Sequence, residues 1–187
     1  MRVIAGVAKG RRLRVPTRKG VRPTSEYLRE ALFDILGSSV HGVRFLDLYA
    51  GSGAVGIEAL SRGAAAVVFI EQDPACLQVL RANVELTGLQ QYRVVAGDVL
   101  RGLPRLFRQG ERFDIIFLDP PYGTGLAKRT LDALASGEML RPRGVVIVEH
   151  FAKEPLPQHF GRLRRVREKA HGQTVLSFYQ WKMEDER

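Results

Sequence analysis

Phe113-Asp114-Ile115-Ile116-Phe117-Leu118-Asp119-Pro120-Pro121-Tyr122 reads as a strand that runs into a chemical site. Five of its first six residues are apolar, with aromatic and β-branched side chains. That is the composition of a strand buried on both faces of a parallel sheet. It stops at a carboxylate followed by two prolines, which cannot continue a ladder of backbone donors. The proline after Asp119 forces an extended backbone there, and Pro120 is restricted for the same reason. A carboxylate, stiff backbone carbonyls and an aromatic ring thus stand together at the carboxyl edge of a core strand. Open α/β sheets bind their ligands at that edge. The plainer alternative is a strand-to-helix turn that merely uses Asp and Pro.

Upstream of this stretch, strand and helix patterns alternate. Thr24 or Ser25 caps a helix with Glu26 and Glu30 near its positive end, and Leu28, Ala31, Leu32, Ile35 and Leu36 recur at helical spacing up to Gly37. Arg29 lies on the less apolar side and is expected to face solvent or a ligand. Strands are predicted at Val43 to Leu48, Ala65 to Ile70 and Tyr92 to Ala96, with helices after Ala54, after Pro74 and around Leu100 to Phe107. Downstream come a helix from Leu126 to Ala135 and a strand from Val145 to Val148. Two late strands, near Leu163–Arg167 and Val175–Trp181, form a hairpin around Gly172. The expected architecture is α/β, a mostly parallel seven-stranded sheet with helices on both faces.

The chain has 187 residues, 45% hydrophobic and 26% charged, as in a soluble globular protein. Its longest apolar run, Ala64 to Ile70, is far short of a membrane span, and the first residues lack the apolar core of a signal peptide. The lone Cys76 suits a reducing, cytoplasmic setting and reads as a small packing residue. The four histidines, His41, His150, His159 and His171, show no metal-ligand spacing, so no metal is expected. No serine sits in a nucleophile-elbow context.

The net charge of +9 is concentrated at two places. Residues 1–22 hold eight Lys or Arg and no acid, with weak alternation around Gly6 and Gly10. They read as a basic hairpin or arm that contacts RNA, ahead of a catalytic domain spanning 23–187; the plainer reading is a disordered tail. The second cluster is Arg162, Arg164, Arg165, Arg167 and Lys169.

Gly51-Ser52-Gly53-Ala54-Val55-Gly56 matches G-x-G-x-x-G, with Glu71 about twenty residues on, so an NAD(P)-binding oxidoreductase is a competing reading. Three acids argue for a different ligand. Asp47, just before the loop, would repel a pyrophosphate but suits an ammonium group. Glu71 ends the second strand and can accept from both hydroxyls of a ribose. Asp98 ends the third and can accept from the amine of adenine. Together they fit an adenosine joined to a cationic amino-acid tail, which is S-adenosylmethionine.

The ordered set Asp47-Leu48-Tyr49-Ala50-Gly51-Ser52-Gly53, Glu71-Gln72-Asp73, Gly97-Asp98 and Asp119-Pro120-Pro121-Tyr122 resembles the Rossmann-like class I S-adenosylmethionine-dependent methyltransferases, in the branch that methylates exocyclic amines. Arg2-Val3-Ile4-Ala5-Gly6, Lys9-Gly10-Arg11, Arg22-Pro23-Thr24 and the run Arg29 to Leu36 are similar to the RsmD family of 16S rRNA guanine-N2 methyltransferases. The resemblance implies that Asp47, Ala50, Gly51 and Gly53 hold the methionine end, Glu71 and Gln72 the ribose side and Asp98 the adenine, with Thr24 near the cofactor. It further implies that Asp119, Pro120, Pro121 and Tyr122 receive the target base. The expected partner is 16S rRNA in the small ribosomal subunit or an assembly intermediate, met by a monomer. Chemically, a DNA adenine N6 methyltransferase and a non-enzymatic RNA-binding module stand as alternatives.

Overall fold

Leu28, Leu32, Phe33 and Leu36 are buried along one face of helix α1, Glu26–Leu36, as their spacing predicts. The structure, a computed structural model, describes residues 1–16 and 26–182; Thr24 and the expected cap at Thr24 or Ser25 lie outside them. The described residues fall into two units, Met1–Asp98 and Val99–Arg187.

In the first unit, strands β1 (Arg44–Leu48), β2 (Ala66–Glu71) and β3 (Tyr92–Ala96) pair in parallel, in the order β3-β2-β1. Helix α2, Ala54–Ser61, is buried at every position, which its small and apolar residues permit. Gly56 makes this packing possible, because a Cβ there would lie 2.3 Å from the Phe69 ring. Helix α3, Pro74–Thr87, starts at Asp73, whose carboxylate accepts from the Ala75 and Cys76 amides. Pro74 occupies the first turn, where its missing N–H costs nothing. Cys76 is buried on the inner face, as a packing residue should be.

Residues 1–16 are bolted onto this unit. The segment doubles back through a bridge between Arg2 and Arg12, and Val3, Ala8 and Leu13 are buried. Its backbone is held by side chains of the helices. Glu58 of α2 accepts from the amides of Ile4 (2.8 Å) and Ala5 (2.9 Å). Ser61 accepts from Ala8 at 3.0 Å, and Asn83 of α3 both accepts from and donates to the Arg14 backbone. Gly6 passes so close that a Cβ would lie 1.7 Å from the Ser61 carbonyl oxygen. The arginine and lysine side chains of the segment meanwhile point outward: Arg2, Lys9, Arg11, Arg12 and Arg14 are exposed.

Arg29 corrects a sequence expectation. It faces neither solvent nor an open pocket but is fully buried. Its Nη2 donates to the Arg2 carbonyl, and its Nε lies 3.7 Å from the equally buried Glu58 carboxylate. Burial lowers its pKa, and the negative charge of Glu58 works against that shift.

The second unit contains helix α4 (Val99–Arg108), strand β4 (Phe113–Leu118), helix α5 (Leu126–Ala135) and strand β5 (Leu140–Phe151). Strands β6 (His159–Phe160), β7 (Leu163–His171) and β8 (Thr174–Trp181) follow. Strands β4 and β5 are parallel, and β8, β7 and β6 continue the order antiparallel. Phe113 and Ile115 to Leu118 are buried, as the opening reading requires, each contributing about 1.5–3 kcal/mol of hydrophobic stabilisation as an upper figure. The described residues hold eight strands, not seven, and the arrangement is mixed more than mostly parallel. The additional strand is the two-residue β6.

Candidate active site

In the first unit the acids singled out from sequence gather at the carboxyl ends of neighbouring strands. Asp47 is buried near the end of β1, and its Oδ2 accepts from the Gly56 amide at 2.9 Å, fixing the start of α2. Glu71 ends β2 and ties the loops together. Its Oε2 accepts from Gly51 at 2.7 Å, and its Oε1 accepts from Gln72 and Asp73, each at 2.8 Å. The Glu71 carbonyl also accepts from Gly97, which places half-buried Asp98 beside the same strand end. Ala50 is anchored by its amide to the Ile70 carbonyl at 3.1 Å.

Tyr49 holds a positive φ of 61°, a costly conformation for a residue with a side chain. A Cβ on Gly51 would enter open space, so the backbone there can be approached closely by a ligand. Carboxylates fixed by backbone amides, three at Glu71 and one at Asp47, beside a bare glycine backbone make a cradle for hydroxyls and amines. These acceptors fit a ligand that carries hydroxyls and amines, as S-adenosylmethionine does. Gln72 is exposed next to Glu71. Thr24 is outside the described residues.

In the second unit Asp119 and Pro120 follow directly on buried Leu118. The Pro121 carbonyl accepts from the Thr124 hydroxyl at 2.6 Å, closing the turn. Tyr122 is clamped. Its ring stacks on Phe151, with centroids 5.7 Å apart and planes at 19°. Its hydroxyl donates to Glu149 Oε1 at 3.2 Å and lies 3.4 Å from the Thr174 hydroxyl. Burial, then the negative charges of Glu149 and Asp119, push the Tyr122 phenol up to about 12 against the opposing bond to Thr174. The phenol is therefore a neutral donor at working pH. A pocket of about 330 Å³ opens beside it, lined among others by Pro120, Tyr122, Lys128, Glu149 and His150. That volume is at the small end of the range for small-molecule sites.

Glu149, His150 and Thr174 are not singled out by the sequence pattern. The signal was nonetheless present: Glu149 ends an apolar run in β5 as Asp119 ends β4. His150 is buried with its Nδ1 3.2 Å from the Phe151 carbonyl and its Nε2 2.9 Å from the Ser177 hydroxyl. Those partners fit a neutral ring in which Nδ1–H donates and Nε2 accepts. Burial lowers its pKa, partly offset by the bond to Phe151. An unfolded chain takes up this proton near pH ~6.5, whereas the folded protein resists it. The unfolded state then binds more protons, so folding stability falls as the pH drops below about 6.5 toward the lowered value. Urea denaturation between about pH 7.5 and pH 5 should show that loss, and His150→Gln should reduce it; an equal slope in both proteins would contradict the assignment.

Among the described residues no helix is long and apolar enough to cross a membrane, and no three His, Cys, Asp or Glu group as a metal site. Residues 1–180 match the family model described as Conserved hypothetical protein 95. Ribosomal RNA small subunit methyltransferase D of Escherichia coli is 36% identical over 180 residues, covering 96% of this chain and 89% of that protein. The solved structure of yhhF from Escherichia coli is 36% identical, covers 97% of this chain and 98% of its own, and gives a TM-score of 0.85. A SAM Dependent Methyltransferase from Agrobacterium tumefaciens, 18% identical, shares the fold at a TM-score of 0.64 over 89% of this chain and 64% of its own.

Proposed function

The chain belongs to the Conserved hypothetical protein 95 family, that of ribosomal RNA small subunit methyltransferase D, and from that membership we propose that it methylates the exocyclic N2 of a guanine in 16S rRNA. It is an S-adenosylmethionine-dependent methyltransferase with the Rossmann-like class I fold. It acts as a cytoplasmic monomer on the small subunit or an assembly intermediate, and without a metal. The observation that carries the reading is the clamped tetrapeptide Asp119-Pro120-Pro121-Tyr122, standing at the end of a buried strand beside a pocket.

The amine of guanine is a poor nucleophile because its lone pair is delocalised into the ring. Asp119 and the Pro120 carbonyl accept its two N–H bonds and so favour a pyramidal nitrogen. Tyr122 presents the face of its ring opposite Phe151 to the base, held in place through its hydroxyl. S-adenosylmethionine, when bound, supplies the methyl on a sulfonium. The amine would take that methyl as the thioether is released, and Asp119 or water would accept the proton that the alkylated amine gives up. Positioning and fixed acceptors supply the catalysis. The base must lie unpaired or leave its stack to enter such a pocket. Exposed Arg164, Arg167 and Lys169 on β7, and the outward cations of residues 1–16, suit the surrounding phosphates.

The test is methyl transfer from labelled S-adenosylmethionine to naked 16S rRNA, purified small subunits and duplex DNA, with the product nucleoside identified by mass spectrometry. The expected product is N2-methylguanine, formed best in the protein-assembled particle. Methyladenine, or DNA as the better acceptor, would overturn the reading.

A further inference from the structure

We propose that Glu149 selects guanine, its carboxylate accepting the ring N1–H while Asp119 receives the adjacent exocyclic amine. The inference rests on the guanine reading above and deepens it. Leu118, the last residue of β4, is in register with Val148 of β5, so Asp119 leaves the strand end next to the position of Glu149 on the neighbouring parallel strand. Strands so paired lie about 4.8 Å apart. Glu149 is only 5% exposed, yet it lines the pocket beside Pro120 and Tyr122. Its place is fixed by the Tyr122 hydroxyl, which donates to Oε1. A carboxylate accepts several hydrogen bonds at once, so the bond from Tyr122 leaves room for one from a base.

Pro120 and Glu149 line the pocket and Asp119 directly precedes Pro120, so two carboxylates and the Pro120 carbonyl supply acceptors at this end of the strands. Guanine presents adjacent donors there, the N1–H and the N2 amine. Adenine would set the lone pair of its N1 against a carboxylate, leaving a desolvated polar group without a partner. A site built around a substrate N–H discriminates strongly against a base lacking it. The same geometry explains why Tyr122 is held by a carboxylate instead of a neutral group: one residue orients the stacking ring and reads the edge of the base it stacks on.

The experiment uses the full chain and small-subunit particles whose 16S rRNA carries either guanine or 2-aminopurine at the methylated position. 2-Aminopurine keeps the exocyclic amine but has a bare N1. The parent protein should favour guanine in kcat/KM by roughly tenfold or more, the scale of one charge-assisted hydrogen bond. Glu149→Gln should shrink that preference by about tenfold, because an amide can turn its N–H toward the bare nitrogen. A purely structural Glu149 would lower transfer to both acceptors in step and preserve the ratio, which would overturn the proposal. A parent protein indifferent to the exchange would overturn it without any variant. In both cases N2-methylguanine as the product on the guanine particle keeps the underlying reading intact. Another product would remove that reading and the inference with it. Calorimetry with S-adenosylmethionine checks that each variant is folded.

Discussion

Asp119→Ala is expected to lower kcat by on the order of a thousandfold, while S-adenosylmethionine binds within about threefold of its parental affinity. The carboxylate follows a strand that is buried and paired, so its removal leaves the scaffold in place. What disappears is an acceptor for the target amine, without which the lone pair stays in the ring. Asp119→Asn keeps one oxygen acceptor and should fall between the two. Glu71→Ala should give the opposite pattern. Its carboxylate ties the Gly51 amide to those of Gln72 and Asp73 and is proposed to take the ribose, so cofactor binding should weaken by about 1–3 kcal/mol. Calorimetry and single-turnover transfer separate the two effects. An Asp119→Ala protein that keeps more than about a tenth of the parental rate would place the amine elsewhere.

Glu58→Ala should cost about 3–5 kcal/mol of folding stability, the largest loss expected outside the site. Glu58 and Arg29 are both fully buried, and Arg62 donates to the same carboxylate at 2.8 Å. Two nitrogens of Arg29, Nε and Nη1, have no hydrogen-bond partner among the described residues, so the guanidinium depends on this carboxylate for its charge balance. Removing Glu58 strands the cation and also releases the Ile4 and Ala5 amides. Urea denaturation measures the loss. A change below about 1 kcal/mol would mean that desolvation already cancels the pair.

The strands and helices that carry the site are readable in the sequence because each is punctuated by physics. Apolar runs in β1, β2 and β4 end at acids, and proline or glycine enforces each stop. The late hairpin around Gly172 is likewise announced by its turn. β6 is not readable, since His159–Phe160 is too short to show a period. β5 starts five residues before its apolar core, because Pro142 and Gly144 read as a turn although the chain is already paired, Leu140 with Phe113. Arg29 misleads for a different reason. A charge in a helix normally marks its wet face, and only the docked N-terminal segment turns that face inward. Glu149 escapes notice because a buried carboxylate within a strand becomes meaningful only once Tyr122 is seen against it.

The clasp that holds residues 1–16 has a timing written into it. Its fasteners, Glu58, Ser61 and Asn83, follow their partners in the chain by 53 to 69 positions. At roughly 5–20 residues per second, the ribosome reaches Asn83 about 3–14 seconds after Arg14. For that interval Val3, Ala8 and Leu13 have no core to enter, and the cationic segment trails free beside the RNA of the machine that is making it. Whatever is fused ahead of Met1 rides on a segment that must wait for its partners, and its bulk bears directly on whether Leu13 can close on Met1 through their 2.8 Å bond.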